Sequence, residues 1–366
     1  MQFSTNVAAM IEGLNMVTRA IPARAAREIF NGVLIQSDED AVVLTCSDGA
    51  LNIQTRVEAE IKEAGSVVLP GRLMNDLVRR LPQGVMSVTV GENERATVRC
   101  LSSRSNLVAF NAMEYPVLGD DPTENVIRLP MNSLHRMISG SWFAQATDES
   151  RKILTGTLFD IREDRLSLVA LDGFRMAIQK QTGSFEGGAK KIVVPGRVIN
   201  EINKILPDQE ESCELRFDSG YLSLSFGGTK VSTVLMKGEF IDYERIVPGA
   251  FATEMLVNRQ AMMDAIDRAS LVAKEGKNNL IRLNIGENSV TISSKAEMGD
   301  VREEVGAAVV GAPLEIAFNA KYIIDVIRNV EEDELCMKFN SPVNPCVIVS
   351  KENDSFLYLV LPVRIF

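Results

Sequence analysis

Apolar residues near the start of the chain recur at the i, i+3/i+4 and i+7 spacing of one helix face. They are Val7, Met10, Ile11, Leu14, Val17 and Ile21. Period-two alternation follows in "VLIQS" (33–37), "AVVLTC" (41–46) and "LNIQTRVEAEI" (51–61), with turn-like residues between these runs. A second helix begins after "VVLPGR" (67–72), and short strands such as "ATVRCLS" (96–102) complete the segment. The pattern predicts the order helix, four strands, helix, three strands.

The same pattern occurs three times along the chain. "VVLPGR" returns as "IVVPGR" (192–197), and a fainter third copy, "IAFNAKYIIDVIRNV" (316–330), lies at the matching interval. The counterparts of the first helix are "MNSLHRMISGSWFAQA" (131–146) and "NRQAMMDAIDRASLVA" (258–273). A repeat at a fixed period indicates tandem copies of one structural unit.

Each copy is about 120 residues long, which is enough for a domain with its own core. We therefore predict an α+β protein with three tandem domains of one type, each with two helices packed on antiparallel sheets. Their predicted limits are 1–121, 122–248 and 249–366. The seams fall at "LGDDPTEN" (118–125) and "IVPGAFATE" (246–254), which are rich in proline, glycine and acids.

The second helix of each copy has an apolar side and a basic side. In copy one the predicted apolar side consists of Leu73, Met74, Leu77, Val78 and Leu81. The basic residues, spaced i and i+7 on the opposite side of each helix, are Arg72 and Arg79, Arg197 and Lys204, and Lys321 and Arg328. One interpretation is a solvated face with local ion pairs to Asp76, Glu201 and Asp325. The other is a shared polyanionic partner, which three aligned instances favour.

Composition narrows the class of protein. Of 366 residues, 46% are hydrophobic and 24% charged, as in ordinary globular proteins, and the net charge is −10. That charge argues against nucleic-acid binding over the whole surface, although not at one face. The sequence predicts no signal peptide and no membrane span. The five cysteines are scattered and form no CxxC pair, so neither a zinc site nor a disulfide framework is expected. Free cysteines of this kind are typical of the reducing cytoplasm.

The chain lacks the motifs of common enzyme classes. GxxxxGK[ST], HExxH and GxSxG are absent, and no GxGxxG follows a predicted strand. The single histidine, His135, has no nucleophile motif attached and is expected to be structural. Asp48 and Asp172 precede glycine in equivalent turns, where aspartate serves turn chemistry. A repeated catalytic carboxylate pair is the disfavoured alternative.

The three copies and three shorter sequence elements together resemble one protein family. The shorter elements are "LDGFRMA" (171–177), "FIDYERIVP" (240–248) and the terminal "LPVRIF" (361–366). Over its whole length the chain resembles the bacterial sliding clamp, the β subunit of DNA polymerase III. The resemblance implies a head-to-tail dimeric ring of six similar domains around duplex DNA, with helices lining the hole and sheets forming the rim.

The resemblance also implies how the basic helix faces are used. They would present Arg72, Arg197 and Lys321, with Arg79, Lys204 and Arg328, to DNA phosphates without reading sequence. Arg24 matches a family position that reaches DNA, and Lys152 lies near another. Weak contacts suffice because a closed ring is retained by topology. The implied partners are duplex DNA, the clamp loader, and DNA polymerases and repair proteins, with no catalytic activity, cofactor or metal, and a nucleoid-associated cytoplasmic location.

A partner-peptide cleft between copies two and three is implied as well. Its residues would be Leu154, Leu171, Gly173, Phe174, Arg175, Met176, Ile241, Arg245, Ile246, Val360, Leu361, Pro362, Val363 and Arg364. Family partners insert short peptides there, usually with leucine and phenylalanine anchors. Two features depart from the family pattern. Phe174 stands where polar residues are common in the family. The family commonly ends in Arg-Leu, whereas here Arg364 is followed by Ile365 and Phe366, which makes the end one residue longer.

The subunit contact implied by the family joins copy one to copy three of a second chain. The candidate residues are Arg79, Arg80, Arg104 and Leu107 against Leu271, Val272, Glu297, Asp300, Glu303 and Glu304. Two other functions remain open from the residues alone. One is a threefold-repeat scaffold that binds proteins without encircling DNA, and the other is an enzyme at an inter-domain cleft.

Overall fold

The computed structural model describes residues 1–91, 95–116, 119, 121–185 and 188–364. Residues 118 and 120 of the first predicted seam, and the terminal Ile365 and Phe366, lie outside the described residues. The described helices include none long and apolar enough to cross a membrane. The chain forms two compact units, 1–132 with 200–235, and 133–199 with 236 onward, so the middle copy contributes to both.

Within the described residues each copy has two α-helices and eight to nine strands. Copy one consists of β1 (Gln2–Asn6), α1 (Val7–Val17), β2 (Gly32–Asp38), β3 (Ala41–Ser47), β4 (Leu51–Glu58), β5 (Glu60–Glu63), β6 (Ser66–Pro70), α2 (Gly71–Val78), β7 (Val85–Val90), β8 (Arg95–Cys100) and β9 (Ser103–Val108). Copy two consists of β10 (Asn125–Pro130), α3 (Met131–Ser139), β11 (Gly156–Ile161), β12 (Arg165–Leu171), β13 (Arg175–Thr182), β14 (Lys190–Pro195), α4 (Gly196–Ile205), β15 (Ser212–Phe217), β16 (Tyr221–Phe226) and β17 (Thr229–Val234). Copy three consists of β18 (Thr253–Asn258), α5 (Arg259–Glu275), β19 (Leu280–Ile285), β20 (Ser289–Ala296), β21 (Gly299–Gly311), β22 (Leu314–Asn319), α6 (Ala320–Arg328), β23 (Glu334–Phe339), β24 (Cys346–Val349) and β25 (Phe356–Val360).

All strand pairing is antiparallel in the described sheets. The first unit holds a five-stranded sheet, β5-β1-β7-β8-β9, and an eight-stranded sheet, β10-β15-β16-β17-β4-β3-β2-β6. The second unit holds a twelve-stranded sheet, β14-β11-β12-β13-β25-β24-β23-β18-β21-β20-β19-β22. Consecutive copies are joined by adding the last strand of one to an edge of the previous copy: β17 pairs with β4, and β25 with β13.

The predicted element order was wrong at the start of every copy, and in copy one five strands rather than four separate the two helices. A short strand, not the first helix, opens each copy, and it pairs with the strand that follows the second helix. The first helix is also shorter than predicted, because α1 ends at Val17 and Ile21 is extended. Ile21 precedes Pro22, and a residue before proline disfavours the helical conformation.

The repeated Pro-Gly pair of the opening motif is explained by close packing at the start of the second helix. A Cβ on Gly71 would lie 2.5 Å from Ile21 Cδ1, and one on Gly196 would lie 2.2 Å from the Thr155 carbonyl oxygen. At Gly196 the obstructing atom belongs to the backbone, so only glycine fits there. In α2, Met74 and Val78 are buried, but Leu73 is exposed against the prediction, because it lies at the margin of a narrow apolar stripe.

Candidate DNA interface and peptide cleft

The basic side chains of the second helices are exposed in all three copies. Arg72 and Arg79 in α2, Arg197 and Lys204 in α4, and Lys321 and Arg328 in α6 all reach solvent. Arg72 also donates from Nη2 to the Pro22 carbonyl oxygen at 2.9 Å. That bond fixes the loop that carries the exposed Arg24 beside α2, so these two predicted DNA contacts lie close together. Lys152 is exposed on a separate 3₁₀ segment.

Local ion pairs account for part of this charge. Lys204 pairs with Glu201 at 2.9 Å, and Glu201 also accepts from Arg19 at 3.3 Å. In α6 the acid is engaged elsewhere, because Asp325 accepts from Arg175. Arg328 lies 3.9 Å from Asp267, at the limit of an ion pair. Exposed pairs of this kind contribute little and leave the cations available to phosphate.

The Asp-Gly element closes the turn between β12 and β13. Asp172 Oδ1 accepts from the backbone N–H groups of Phe174 and Arg175 at 2.8 and 2.9 Å, and Gly173 has a φ of +92°. Asp48 and Gly49 repeat the arrangement in copy one. The two aspartates therefore stabilise their turns by accepting backbone hydrogen bonds, as their position before glycine predicts.

The Arg175 side chain lies in a cage formed by two carboxylates, a backbone carbonyl and an aromatic ring. Its side chain is 8% exposed and bonds to Asp172, to Asp325 and to the Phe143 carbonyl oxygen. Its guanidinium also lies 4.8 Å from the ring centroid of Tyr322. The assignment of Arg175 to the cleft lining stays a prediction, and its side chain points away from that of its strand neighbour Met176, which packs with Leu154 and Leu171.

Phe174 is exposed beside this cage. Its side chain is 58% exposed, and its ring stacks on Tyr322 with centroids 5.9 Å apart and an interplanar angle of 18°. An aromatic pair of this kind offers a flat apolar surface next to the cleft. Gly173 is exposed at the same turn.

One apolar cluster brings together four of the fourteen predicted cleft residues. Leu154, Leu171 and Met176 pack together with Tyr243 and Leu359, and Leu361 packs against them while remaining partly open. Val360 packs in the cluster on the opposite face of the sheet, whereas its neighbour Leu359 packs with the predicted cleft residues, and the assignment of Val360 to the lining stays a prediction. The alternation of strand β25 determines this difference.

The connector between copies two and three forms the other wall. Ile241 and Ile246 are each about one-third exposed, and Arg245 is exposed and pairs with Asp242 at 2.8 Å. Tyr243 is buried at the centre of this connector, and its hydroxyl donates to Asp160 Oδ2 at 2.7 Å. Burial, and then the Asp160 carboxylate, raises the pKa of Tyr243, so the hydroxyl remains a donor.

Asp160 is a functional candidate that the sequence did not reveal. It is 2% exposed on β11, and Arg162 also donates to it at 3.1 Å. Arg162 and Arg165 further contact Glu244 on the connector at 2.6 and 3.2 Å. A lone Asp in an apolar strand carries no recognisable motif, and its partner Tyr243 lies 83 residues away in the sequence.

The chain terminus is anchored on two sides. The Leu361 N–H donates to the Phe174 carbonyl oxygen at 2.9 Å, and the Val363 N–H donates to the Ala317 carbonyl oxygen at 2.8 Å. Pro362 lies between these bonds, and Arg364 is exposed. Residues 361–363 are therefore held in place at the predicted rim of the cleft.

The predicted subunit-contact residues lie mainly on two strand edges. Arg104 is exposed on β9, whereas Leu107 is only 7% exposed and its neighbour Val108 is open instead. Leu271 is exposed on α5, where Val272 is half-buried. On β21, Asp300 and Glu304 are exposed, and Glu303 pairs with Arg268 at 2.8 Å.

The remaining predicted contacts differ in their surroundings. Arg80 donates to the Asp76 carbonyl oxygen at 2.7 Å, which keeps it along α2, and Glu297 is exposed in the β20–β21 turn. His135 is half-buried on α3. All five cysteines are free thiols, and burial raises the pKa of Cys213 to about 11. Within the described ranges, no group of three or more acidic, histidine or cysteine side chains is placed to hold a metal ion.

These features define a class of protein: three tandem α+β domains with exposed basic helices and an apolar cluster beside the last described strand. Models of the N-terminal, central and C-terminal domains of the DNA polymerase III beta subunit match residues 1–119, 128–242 and 244–364. This chain belongs to that family, the bacterial sliding clamps. The predicted α+β fold of three clamp domains is thereby confirmed.

Individual relatives agree with this assignment. The chain is 32% identical to the "Beta sliding clamp" of Staphylococcus epidermidis and to that of Staphylococcus aureus, each over 376 residues and all of both chains. Among solved structures it is similar over its full length to the DNA polymerase sliding clamp from Bacillus subtilis (28% identity, TM-score 0.95). It is equally similar over its full length to the DNA polymerase beta subunit of Streptococcus pyogenes (27%, TM-score 0.95).

Proposed function

We propose that two copies of this chain close head to tail into a ring around duplex DNA and tether other proteins through the apolar cleft. The family assignment makes the chain a DNA sliding clamp, a processivity factor of replication. The proposal adds how its own residues perform that function. It also holds that the chain is a non-catalytic accessory subunit in the cytoplasm, where it associates with the nucleoid.

The pairing of strand edges carries the proposal for a ring. At both internal seams the last strand of a copy pairs in the same register: Val231 lies opposite Ile53, and Tyr358 lies opposite Ala177. Among the described residues, β9 pairs only with β8, and residues 299–306 of β21 pair only with β20. β9 is the counterpart in copy one of β17 and β25, the last strands of the other copies. β21 is the counterpart in copy three of β4 and β13, the strands to which those last strands are added.

Joining these edges between two chains uses the rule already present twice within one chain. The repeat places Ser105 at the position of Val231 and Tyr358, and Val301 at the position of Ile53 and Ala177. The same register would set Ser105 opposite Val301 of the second chain. Arg104 then lies directly opposite Arg302 and diagonal to Asp300 and Glu304, whose carboxylates flank the two like charges. A two-fold axis repeats the joint and closes the ring.

The exposed basic helix faces suit DNA held by topology. Arg72, Arg197 and Lys321, supported by Arg24, Arg79, Lys152, Lys204 and Arg328, would meet phosphates without reading bases. Contacts to phosphate carry no sequence information and are sensitive to salt. A net charge of −10 keeps DNA from the outer surface. Weak contacts inside a closed ring permit sliding.

The cleft suits a short peptide with apolar anchors. Leu154, Leu171, Met176, Leu359 and Leu361 provide its apolar floor. The Phe174–Tyr322 stack and the exposed Arg245 border it and suit an aromatic or acidic residue of the peptide. The proposed occupants are polymerases, the clamp loader and repair proteins that carry such peptides. The scaffold without DNA encirclement is not favoured, given the family.

Charge reversal tests the proposed DNA face. Arg72→Glu, Arg197→Glu and Lys321→Glu are combined, and the protein is loaded onto nicked circular DNA with the cognate loader and ATP. We expect the number of clamps retained per circle to fall at least tenfold, because three phosphate contacts become repulsive. A matched control combines Lys62→Glu, Arg128→Glu and Lys351→Glu, with one exposed cation from each copy. Equal retention by both triple variants would contradict the assignment.

A further inference from the structure

Copy three carries a basic recess on one face of its sheet. Ile281, Leu283 and Ile292 face the core that α5 and α6 cover, so Arg282 and Ser293, which alternate with them, face the other way. A recess of about 530 Å³ lies on this outer face and includes Lys295, Asp300 and Arg302. Three cations and one acid therefore share a concave surface on a chain of net charge −10.

The equivalent faces of copies one and two are apolar or neutral and are covered. Arg282 pairs with Ser293 as Leu158 pairs with Val169 and Leu34 with Thr45. Leu34, Leu158 and Val169 are buried. The connectors that follow these copies cover them, with Tyr115 packed against Leu34 and Tyr243 packed in the cluster of Leu158 and Val169.

In all three copies, the segment after the last strand starts across this outer face at the same position. Phe110 bridges Val68, Met236 N–H donates to Val193, and Val363 N–H donates to Ala317. In copy three, however, the described residues leave Arg282, Lys295 and Arg302 exposed. Lys295 and Arg302 stand where copy two has the buried Leu171 and Ile178. Copy three thus has exposed cationic residues at positions where copy two has buried apolar ones.

The covering connectors indicate what such a face accepts. The first connector, residues 111–125, contains four acids and no base, and the second, residues 237–251, contains three acids and two bases, Lys237 and Arg245. We infer that the recess binds an acidic segment of a partner protein, laid across the outer face of copy three as the connectors cross copies one and two. Carboxylates of that segment would receive charge-assisted hydrogen bonds from Arg282, Lys295 and Arg302.

The present contacts permit this binding. Arg282 pairs with Glu315 at 3.3 Å, but both are about half exposed, so the pair is weak and replaceable. The recess lies on the face away from the helices proposed to meet DNA, which favours an acidic protein segment over nucleic acid. Binding through exposed charges is expected to weaken steeply with salt.

A fluorescent peptide of residues 111–125 of this chain serves as a defined acidic probe for the full-length protein. We expect saturable binding at low salt that falls at least tenfold in the double variant Arg282→Glu, Lys295→Glu, neither of which lies on the edge strand β21. The control variant Lys62→Glu, Arg128→Glu should bind as the wild type does. A peptide with its four acids changed to the matching amides should not bind.

The inference is overturned if the amide peptide binds as well as the acidic one, or if the double variant binds the acidic peptide unchanged. It is also overturned if a short DNA duplex displaces the peptide through the same two residues, because the recess would then be a nucleic-acid site. Arg282→Gln with Lys295→Gln provides a milder change should the charge reversals misfold. None of these outcomes depends on ring closure.

Discussion

Tyr243 connects the fold of copy two to the wall of the cleft. Its buried hydroxyl bonds to Asp160, which Arg162 also contacts, and the same connector presents Ile241, Arg245 and Ile246. The position of the exposed connector residues therefore depends on one buried hydrogen bond. A hydrogen bond to a charged partner contributes about 1.5–3 kcal/mol.

Tyr243→Phe removes that hydrogen bond without changing the ring. We expect about tenfold weaker binding of a peptide with leucine and phenylalanine anchors, because the connector wall loses its fixed position. Fluorescence anisotropy measures the affinity, and retention on circular DNA should not change. Tyr221→Phe, at an exposed tyrosine of β16, is the control. Unchanged peptide affinity in Tyr243→Phe would show that the connector does not need this bond.

Arg175 is expected to stabilise the second unit rather than to contact peptide. Arg175→Ala leaves Asp172 and Asp325 without their cation, and breaking a partly buried pair in this way costs about 3 kcal/mol. Thermal unfolding should show a midpoint several degrees lower. Arg245→Ala, at an exposed cation, should leave the midpoint within about one degree. Equal midpoints for the two variants would contradict the cage.

At the scale of elements, the strand edges β9 and β21 make a prediction about the joint between subunits. Ser105→Cys with Val301→Cys should form a disulfide between chains under mild oxidation, because directly opposite residues lie within disulfide reach. Asn106→Cys with Val301→Cys is the matched control, since a shift of one residue points the side chains to opposite faces. Non-reducing electrophoresis distinguishes the two. Cross-linking of the control pair alone would refute the register.

Long periodic elements were predictable from the sequence, and short or non-local ones were not. The strands β2 to β4 and the basic faces of α2, α4 and α6 follow from local periodicity and from three aligned copies. The opening strand β1 has five residues and runs directly into α1, so its alternation is too short to separate from the helix. Asp160 became a candidate only when the fold brought it to Tyr243. The inward turn of Val360 follows from a strand register that sequence spacing does not supply.

At the scale of the whole molecule, three copies of one domain account for both surfaces. Each copy repeats a basic helix face, while the proposed apolar cleft lies where β25 joins β13 beside the second connector. Two chains joined by the remaining edges would present six basic faces and two clefts. Retention would then come from closure, and partner binding from the clefts, so the two functions can be altered separately.

Retention on circular DNA tests ring closure most directly. The protein is loaded onto nicked plasmid with its loader and ATP, free protein is removed, and the circle is cut once with a restriction enzyme. We predict that the clamps leave the DNA upon linearisation, because they slide off the ends. Persistence on the linear DNA at the level seen on the uncut circle would mean a direct grip and would contradict the proposed ring.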